Sequence, residues 1–554
     1  MVDPITVAVI GSSMFATTQE MGEALRRSSH SPIIREMLDY SCAIFTAGGE
    51  VVAQDELIPA LLGSITTAMP ILLAEVPPET IEPGDIFIGN DPYRGVSHTP
   101  DIHLFAPVFA GDRIVAWCGD VAHHNDIGGT NPGTEGFANE SVFEEGFRFT
   151  NVKIVEAGKL CEPLFRCFVE TTRDPAASRG DLRAQIAAVR LGVRRVEGLI
   201  AKYGAEVLTE AMDVRLAQSE RRMRAMIAQC PDARGNAVGH LDNDGISNDP
   251  VRIEVTVEVK GDEVIVDFTG SAPQMAGGLN SSRAATTAAI LFATKAAFDP
   301  TSDSTGGNFR PIRTILPEGS AVNPNSPAAV SLRHLTEQRI SDTLVRALAQ
   351  IVPGLETAGS FVGFSSLAAA TRHPRTRLPV VMADDLGGGT GGNRRGDGLD
   401  SVDTYLGNVG ILPAEVCERE YPIRILETEY VTDSGGAGQH RGGLGIRRTY
   451  EFLDHCQCVF YTEQSNPEFG PWGAEGGQTG QPARLTLLRA DGTTVPVGKM
   501  RVDVTPGDRL VTITGGGGGF GDPGRRDPAA IADDLRQGKV SPQAARDIYG
   551  FADA

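Results

Sequence analysis

The chain has 554 residues, a hydrophobic fraction of 41%, a charged fraction of 22% and a formal net charge of −21 at pH 7. This length and composition indicate an ordinary globular protein of several domains. Contacts to phosphate need clustered Lys and Arg, so we do not expect so acidic a chain to bind nucleic acid or an anionic membrane. No stretch approaches the roughly 18 uninterrupted apolar residues of a membrane span.

The eight cysteines are scattered, and no CxxC pair occurs. Because no secretory signal begins the sequence, we expect reduced thiols in a cytoplasmic protein. His455 precedes Cys456 and Cys458 in a predicted strand, where alternation places it on the other face, so packing explains this group better than a nucleophile does. The sequence also lacks a GxxxxGK[ST] phosphate cradle and a GxSxG nucleophile elbow.

The first elements of the chain are predicted from apolar periodicity and turn residues. An amphipathic helix carries Met14, Met21 and Leu25. A β-hairpin follows between Asp39 and Gln54, with Gly48-Gly49 at its turn. Next come a helix over 61–73 and a strand over 85–88, which leads into the segment Gly89–Gly129.

The segment Gly89–Gly129 holds four of the ten histidines together with four aspartates: His98, His103, His123, His124, Asp91, Asp101, Asp120 and Asp126. His98 and Asp101 lie on a loop bounded by Gly and Pro. Strands over 102–109 and from 114 through 117, joined at Gly111-Asp112, predict a hairpin that returns His123 to the end where His98 lies. The segment therefore places two ligand-bearing loops at one end of a rigid pair of strands.

Imidazole and carboxylate are the ligands of a catalytic divalent metal such as Zn, Mn or Fe. A single histidine in a β-rich protein is usually structural, but the convergence of several on one hairpin favours a metal or acid/base site. His103 is the exception, because it alternates with Ile102 and Leu104 and is expected to face away from the others.

Further along, the pattern predicts helices, a hairpin, a glycine loop and a β-rich end. The predicted elements are two helices over 180–230 broken at Gly204, a hairpin over 253–268, helices over 281–298 and 340–351, a flexible glycine loop over 386–398, strands over 421–431, 446–452, 458–463, 483–488 and 509–514, and two short helices from Pro528. The glycine runs at 387–389, 435–436 and 515–519 lie at no clear strand-to-helix junction, so we predict no phosphate site there.

These elements predict an α+β fold of multi-layer mixed β-sheets, with a helical insertion and a β-rich C-terminal third. We expect five segments: an N-terminal α/β domain with the metal site over 1–175, a helical segment over 176–235, a central α+β domain over 236–415, a β-rich domain over 416–525 and a helical tail over 526–554.

A set of short motifs is spread over residues 39–445. The motifs are Asp39-Tyr-Ser-Cys-Ala-Ile-Phe45, Asn90-Asp-Pro-Tyr93, His98-Thr-Pro-Asp101, His123-His-Asn-Asp126, Ser141-Val-Phe-Glu-Glu-Gly146, Gly180-Asp-Leu-Arg-Ala-Gln185, Arg310-Pro-Ile312, Glu418-Arg-Glu-Tyr-Pro422, Asp433-Ser-Gly-Gly-Ala-Gly438 and Arg441-Gly-Gly-Leu-Gly445. In these motifs the chain resembles the hydantoinase B/oxoprolinase family, which comprises the second subunits of ATP-dependent N-methylhydantoinases, of caprolactamase-type enzymes and of acetone and acetophenone carboxylases.

The resemblance implies a metal-bearing subunit that works with a separate ATP-using subunit of the hydantoinase A type, in a hetero-oligomer containing a dimer of this chain. It implies the metal ligands Asp39, His98, Asp101 and His123. Residue chemistry alone selects the last three, since an Asp at a strand start is usually a turn or cap residue. His124 and Asp126 are then expected in proton transfer or in support of the ligands.

The resemblance leaves the reaction open. A cyclic amide hydrolase would open a hydantoin, oxoproline or lactam ring that the partner has phosphorylated, with metal-activated water as nucleophile. A ketone carboxylase would use the same ligands for carbon–carbon bond formation. A non-catalytic scaffold that stabilises its partner is a third hypothesis. One departure bears on the substrate: Asp403-Thr404-Tyr405 stands where the resemblance leads us to expect a histidine.

Overall fold

The structure is a computed structural model, and it describes residues 2–552. It contains eleven α-helices within that range. They are α1 (Pro4–Ser28), α2 (Pro32–Arg35), α3 (Pro59–Glu75), α4 (Glu162–Val169), α5 (Pro175–Tyr203), α6 (Ala205–Ile227), α7 (Arg283–Phe298), α8 (Arg333–Leu348), α9 (Ala414–Glu420), α10 (Pro528–Arg536) and α11 (Pro542–Asp547).

The same range contains twenty strands. They are β1 (Tyr40–Thr46), β2 (Val51–Gln54), β3 (Ile86–Gly89), β4 (Asp101–Ala110), β5 (Arg113–His123), β6 (Val152–Glu156), β7 (Lys159–Leu160), β8 (Ala233–Leu241), β9 (Val251–Lys260), β10 (Glu263–Asp267), β11 (Ile312–Ile315), β12 (Ser365–Arg372), β13 (Pro379–Leu386), β14 (Ile423–Tyr430), β15 (Ile446–Phe452), β16 (Cys456–Tyr461), β17 (Arg484–Leu488), β18 (Thr494–Val497), β19 (Met500–Val504) and β20 (Arg509–Ile513).

The described chain divides into two compact units. The first contains residues up to 234, 257–269 and 273–333, and the second contains the remainder. Helices mix with several separate sheets, so the predicted α+β class is confirmed. The five predicted segments stay a prediction.

The first unit is built on a seven-stranded sheet with the order β2-β1-β5-β4-β3-β6-β7. Its centre is the predicted hairpin, in which β4 and β5 pair antiparallel along their whole length. Helix α5 packs against both of these strands. The hairpin is therefore held between neighbouring strands on each side, and its open end is a rigid place from which to present ligands.

Helices α3 and α7 of the first unit approach closely where Gly63 faces Ala288. A Cβ atom added to Gly63 would collide with the Cα and Cβ atoms of Ala288. Alanine at a helix interior gains about 1 kcal/mol over glycine, but forcing an extra methyl into a packed contact costs about 1–3 kcal/mol. Close packing therefore explains why a glycine occupies this helix.

We expect Gly63→Ala to lower the free energy of unfolding by about 1–2 kcal/mol, because the collision outweighs the gain in helix propensity. Gly198→Ala is the matched control, since no atom lies within 4 Å of a Cβ added at that position of α5. It should raise the free energy of unfolding by about 0.5–1 kcal/mol. Urea titration of both variants measures the difference, and an equally stable Gly63→Ala variant would contradict the packing argument.

The second unit contains a four-stranded sheet, β13-β12-β16-β19, and a five-stranded sheet, β14-β15-β20-β17-β18. The three glycine runs lie in this unit and hydrogen-bond to one another: Gly389 N donates to Gly515 O at 3.0 Å, and Gly436 N donates to Gly517 O at 2.8 Å. A Cβ on Gly389 would collide with the carbonyl of Gly443. The loop predicted to be flexible therefore begins with a buried, hydrogen-bonded run at 387–389, which corrects that expectation.

Two further predictions differ from the structure. Helix α8 begins at Arg333 and not at residue 340. Its first two turns are polar yet buried, so apolar periodicity does not reveal them. Strands β6, β7, β8, β12, β13, β18 and β19 were not predicted.

All eight cysteines are free thiols. No helix within residues 2–552 is both long enough and apolar enough to cross a membrane.

Candidate metal centre

Three predicted ligands meet at the open end of the β4–β5 hairpin. Asp101 is the first residue of β4 and His123 is the last residue of β5, and the two are paired directly in register. His98 lies on the loop before β4, where its carbonyl accepts a hydrogen bond from Asp101 N at 3.2 Å. The sheet register and one tight loop thus bring the three side chains together.

The facing atoms of these side chains are nearly equidistant. His98 Nε2 lies 3.1 Å from Asp101 Oδ1 and 3.2 Å from His123 Nδ1, and His123 Nδ1 lies 3.2 Å from Asp101 Oδ1. All three residues are buried. Ligands about 2.0–2.1 Å from a tetrahedral metal ion are about 3.3 Å apart, so the spacing suits a first-row divalent ion.

The tautomer of His98 is fixed by a backbone carbonyl. Its Nδ1 lies 2.8 Å from Ser331 O, and only an N–H can make a hydrogen bond to that oxygen. In the neutral ring Nε2 therefore carries the lone pair, and this lone pair points at the Asp101 carboxylate. Metal-binding histidines commonly use such a hydrogen bond to orient the ring.

The second oxygen of Asp101 is held away from the three facing atoms. Its Oδ2 accepts hydrogen bonds from Ser97 Oγ and, at 3.2 Å, from Arg333 Nη2. These bonds leave Oδ1 directed toward the two imidazoles. The carboxylate is thereby oriented as a ligand that uses one oxygen.

Asp39, the fourth ligand implied by the resemblance, lies at the edge of the same site. Its Oδ2 is 3.9 Å from His123 Nδ1, and its side chain is 14% exposed. The Asp39 carbonyl accepts a hydrogen bond from His123 N at 3.1 Å, so the start of β1 is tied to the end of β5. Asp39 thus borders the group of three facing atoms and does not belong to it in this structure.

The charges around the site set distinct protonation states for its groups. Burial and the charge of Arg333 lower the pKa of His98 to about 4. Burial raises the pKa of Asp39 to about 6. Burial opposes the charged form of His123, but its hydrogen bond to Asp101 and the charge of Asp39 outweigh that effect and raise its pKa to about 9.

Asp101 stays ionised. Burial favours its neutral form, but the neighbouring imidazoles of His98 and His123, together with Arg333, hold the pKa of Asp101 well below its usual range. At neutral pH His98 is then neutral, Asp101 is an anion, and His123 brings one Nδ1–H into the group. Three potential acceptor atoms share a single proton, and a bound cation would satisfy all three at once.

His124 and Asp126, the residues expected in proton transfer, have other partners. His124 Nε2 lies 2.9 Å from Gln185 Oε1, and the residue is fully buried. Asp126 accepts hydrogen bonds from Arg173 N at 2.8 Å and from Arg173 Nη1 at 2.9 Å. Burial raises the pKa of Asp126, and the charge of Arg173 opposes that shift. Their part in proton transfer stays a prediction.

His103 lies outside the group of three ligands. Its Nε2 is 3.3 Å from Asn151 Oδ1, and its ring packs 4.8 Å from that of Phe105. The segment noted for its missing histidine is internal to the second unit: Tyr405 OH donates to Asp342 Oδ1 at 3.1 Å, and Thr404 Oγ1 donates to Phe361 O at 3.1 Å.

Residue types and local spacing did not reveal four contributors to the site. Ser97, Ser331 and Arg333 orient the candidate ligands, and the charge of Glu135 helps to raise the pKa of His123. Ser331 and Arg333 are more than 200 residues from the ligands they contact. Ser97 was the exception that spacing could have identified, because it directly precedes His98.

Comparison with solved structures defines the class of protein. The chain superposes on an ATP-dependent caprolactamase from Pseudomonas jessenii with a TM-score of 0.92 and 28% identity, covering 99% of this chain and 96% of that one. An acetone carboxylase involved in ATP-dependent acetone carboxylation shares the fold, with a TM-score of 0.87, 20% identity, and 99% and 79% of the two chains covered.

Sequence comparison then gives the family. A protein of Pseudomonas sp. (strain NS671) named as a D-/L-hydantoinase subunit of the B type is 32% identical over 574 residues, covering 99% of this chain and 95% of its own. Residues 3–523 match the sequence profile of Hydantoinase B/oxoprolinase. The chain belongs to the hydantoinase B/oxoprolinase family, as its motifs predicted.

Proposed function

We propose that this chain is the metal-dependent subunit of an ATP-dependent cyclic amide hydrolase, which opens a hydantoin, oxoproline or lactam ring phosphorylated by a hydantoinase A-type partner. One observation carries the proposal: three ligand atoms of His98, Asp101 and His123 face one another at 3.1–3.2 Å. The likeness to a caprolactamase at 28% identity supports the hydrolytic reaction.

The residues fit a divalent ion of the Zn, Mn or Fe type. His98, Asp101 and His123 would hold it, with Asp39 as the fourth ligand. A bound ion of this kind supplies Lewis acidity, which polarises a carbonyl or phosphoryl oxygen and makes water more acidic. Ser331 and Arg333 contribute by fixing the ligands before any substrate arrives.

The chain's own residues prepare the site for proton movement. The carboxyl group of Asp39, with a pKa of about 6, exchanges its proton near neutral pH and is partly exposed. If Asp39 does not bind the ion, it is the partly exposed acid beside His123 that could take a proton from water. His124 and Asp126 are proposed as supporting groups, since both are buried and bonded to other side chains.

Reconstitution tests this proposal. The chain should be co-purified with its neighbouring ATP-using subunit, and ATP turnover should be measured over cyclic amides and ketones. The proposal predicts ring opening and ATP hydrolysis with a cyclic amide, both lost after metal chelation and restored by one divalent ion. Full activity of the metal-free pair, or turnover that needs bicarbonate and a ketone and gives no ring opening, would contradict it.

The affinity for the metal should increase with pH. His123 must lose the proton that its pKa of about 9 retains at neutral pH, so metal and proton compete for the same nitrogen. We expect affinity to rise about tenfold per pH unit from pH 7 toward pH 9 and then to level off. Below pH 6 the slope should steepen, because Asp39 also gains a proton. Competition titration with a chelating dye measures this, and a pH-independent affinity would contradict it.

A further inference from the structure

Glu145 is a buried acid close to the ligand loop but outside the ligand set. It has no exposed surface. Its Oε1 accepts hydrogen bonds from Val330 N at 2.6 Å and from Ser331 N at 2.8 Å, whereas its Oε2 has no hydrogen-bond partner among the described residues. Burial of a carboxyl group costs free energy, so the presence of one at this position needs a structural explanation.

The two bonds of Glu145 fix the backbone that orients His98. The carbonyl of Ser331 accepts the 2.8 Å hydrogen bond from His98 Nδ1. Its amide N–H is one of the two groups that Glu145 Oε1 holds. A short chain of contacts therefore runs from Glu145 through the main chain of Ser331, from its N–H to its C=O, to the imidazole.

Glu145 also holds the ligand loop through its main chain. Its carbonyl accepts a 3.1 Å hydrogen bond from Thr99 Oγ1, and Thr99 directly follows His98. The same residue thus fixes the loop that carries His98 and the carbonyl that aligns its ring. Among the described residues, the hydrogen bonds of its Oε1 go to these two backbone groups.

We propose that Glu145 is a positioning residue for the metal centre, which sets the orientation and tautomer of His98 through the main chain of Ser331. This inference rests on the proposed function, because it assumes that His98 binds a metal ion. Burial raises the pKa of Glu145 to about 8, although its bonds to Val330 and Ser331 oppose the shift. A neutral carboxyl group accepts the same two bonds, so glutamine is a close substitute for it.

The test is metal affinity, measured with Zn²⁺ and Mn²⁺ by chelator competition on the full chain. Glu145→Ala removes the acceptor and should weaken affinity by about 10–100-fold, the usual cost of losing an outer-shell partner. Glu145→Gln keeps an acceptor of the same length and should restore wild-type affinity. Glu144→Ala is the matched control, since the adjacent Glu144 makes only a 3.4 Å contact with Glu140 N through its side chain.

Spectroscopy separates positioning from a general loss of structure. With Co²⁺ bound, the absorption spectrum of Glu145→Ala should shift, while those of Glu145→Gln and Glu144→Ala should match wild type. If Glu145→Ala does not fold, Glu145→Asp replaces it: its shorter side chain cannot reach both N–H groups, so a loss of about tenfold is expected.

The His98→Ala variant distinguishes a failure of the proposed metal site from a failure of the proposed role of Glu145. Wild-type affinity in His98→Ala would overturn the metal site itself. Lost affinity in His98→Ala with unchanged affinity and spectrum in Glu145→Ala, or in Glu145→Asp where that variant is used, would overturn only the role of Glu145. An affinity in Glu145→Gln as weak as in Glu145→Ala would also overturn that role, because rescue by the neutral acceptor is what positioning requires.

Discussion

His98→Ala and His123→Ala should each lower metal affinity by more than about 100-fold, since even outer-shell substitutions cost 10–100-fold. Each variant removes one of the three facing ligand atoms, so the ion would have to be held by the other two and Asp39, without one of its imidazoles. Activity of the reconstituted complex should fall with metal occupancy. Metal content of the purified variants and ATP-dependent ring opening by the pair measure the two effects.

His103→Ala is the matched control for these variants. His103 is a buried histidine on the same hairpin, but its ring bonds to Asn151. Its removal should leave metal content unchanged even if stability falls. Equal metal loss in all three variants would mean that disruption of the sheet, and not loss of a ligand, explains the result.

Asp101→Ala should give the largest loss of stability. Its carboxylate, which has no exposed surface, faces the Arg333 guanidinium and the protonated His123. Removing one partner of a buried ion pair costs about 3–5 kcal/mol, because the other charges stay desolvated. We expect the metal-free variant to lose that much of its free energy of unfolding at pH 7, as measured by urea titration.

The pH dependence of this loss follows from the depressed pKa of Asp101. Its stabilisation is present above the ordinary carboxyl pKa and disappears only as pH falls through the lower folded value. The difference between Asp101→Ala and wild type should therefore be constant from about pH 5 to about pH 6. Above about pH 6.5 it should shrink, because Asp101 raises the pKa of His123, and the stability gained from that shift is lost as pH rises toward the folded value of about 9. Asp112→Ala, at an exposed position on the β4–β5 turn, should change stability by less than about 0.5 kcal/mol. Equal effects of the two variants would contradict the ion-pair argument.

The hairpin and the convergence of three candidate ligands at its open end could be predicted from the sequence because the signal is local. Alternating apolar residues, a Gly-Asp turn and histidines at matched ends define both the strands and the register that pairs Asp101 with His123. Asp39 was identified as a candidate ligand only from the family motif, because a single Asp before a strand does not by itself indicate a metal ligand.

The residues that contact the site from distant parts of the chain could not be predicted from the sequence. Arg333 and Ser331 reach the site through tertiary folding, and no local pattern links them to Asp101 or His98. The start of α8 was not predicted for a related reason. Its first turns contain buried polar residues such as Glu337 and Arg339, and hydropathy alone assigns such residues to the solvent-exposed surface.

The glycine runs show a different limit of structure prediction from a single sequence. High glycine content usually indicates a mobile loop, yet Gly388 and Gly517 are buried in closely packed backbone. Glycine permits that approach because it has no Cβ, and a single sequence does not distinguish this use from flexibility.

Anomalous X-ray scattering from crystals of the chain grown with Mn²⁺ or Zn²⁺ tests the central claim most directly. The account predicts one strong peak bounded by His98 Nε2, Asp101 Oδ1 and His123 Nδ1, which is absent in crystals of His123→Ala. A wild-type structure without a peak at that point, with the two imidazoles turned apart, would contradict it.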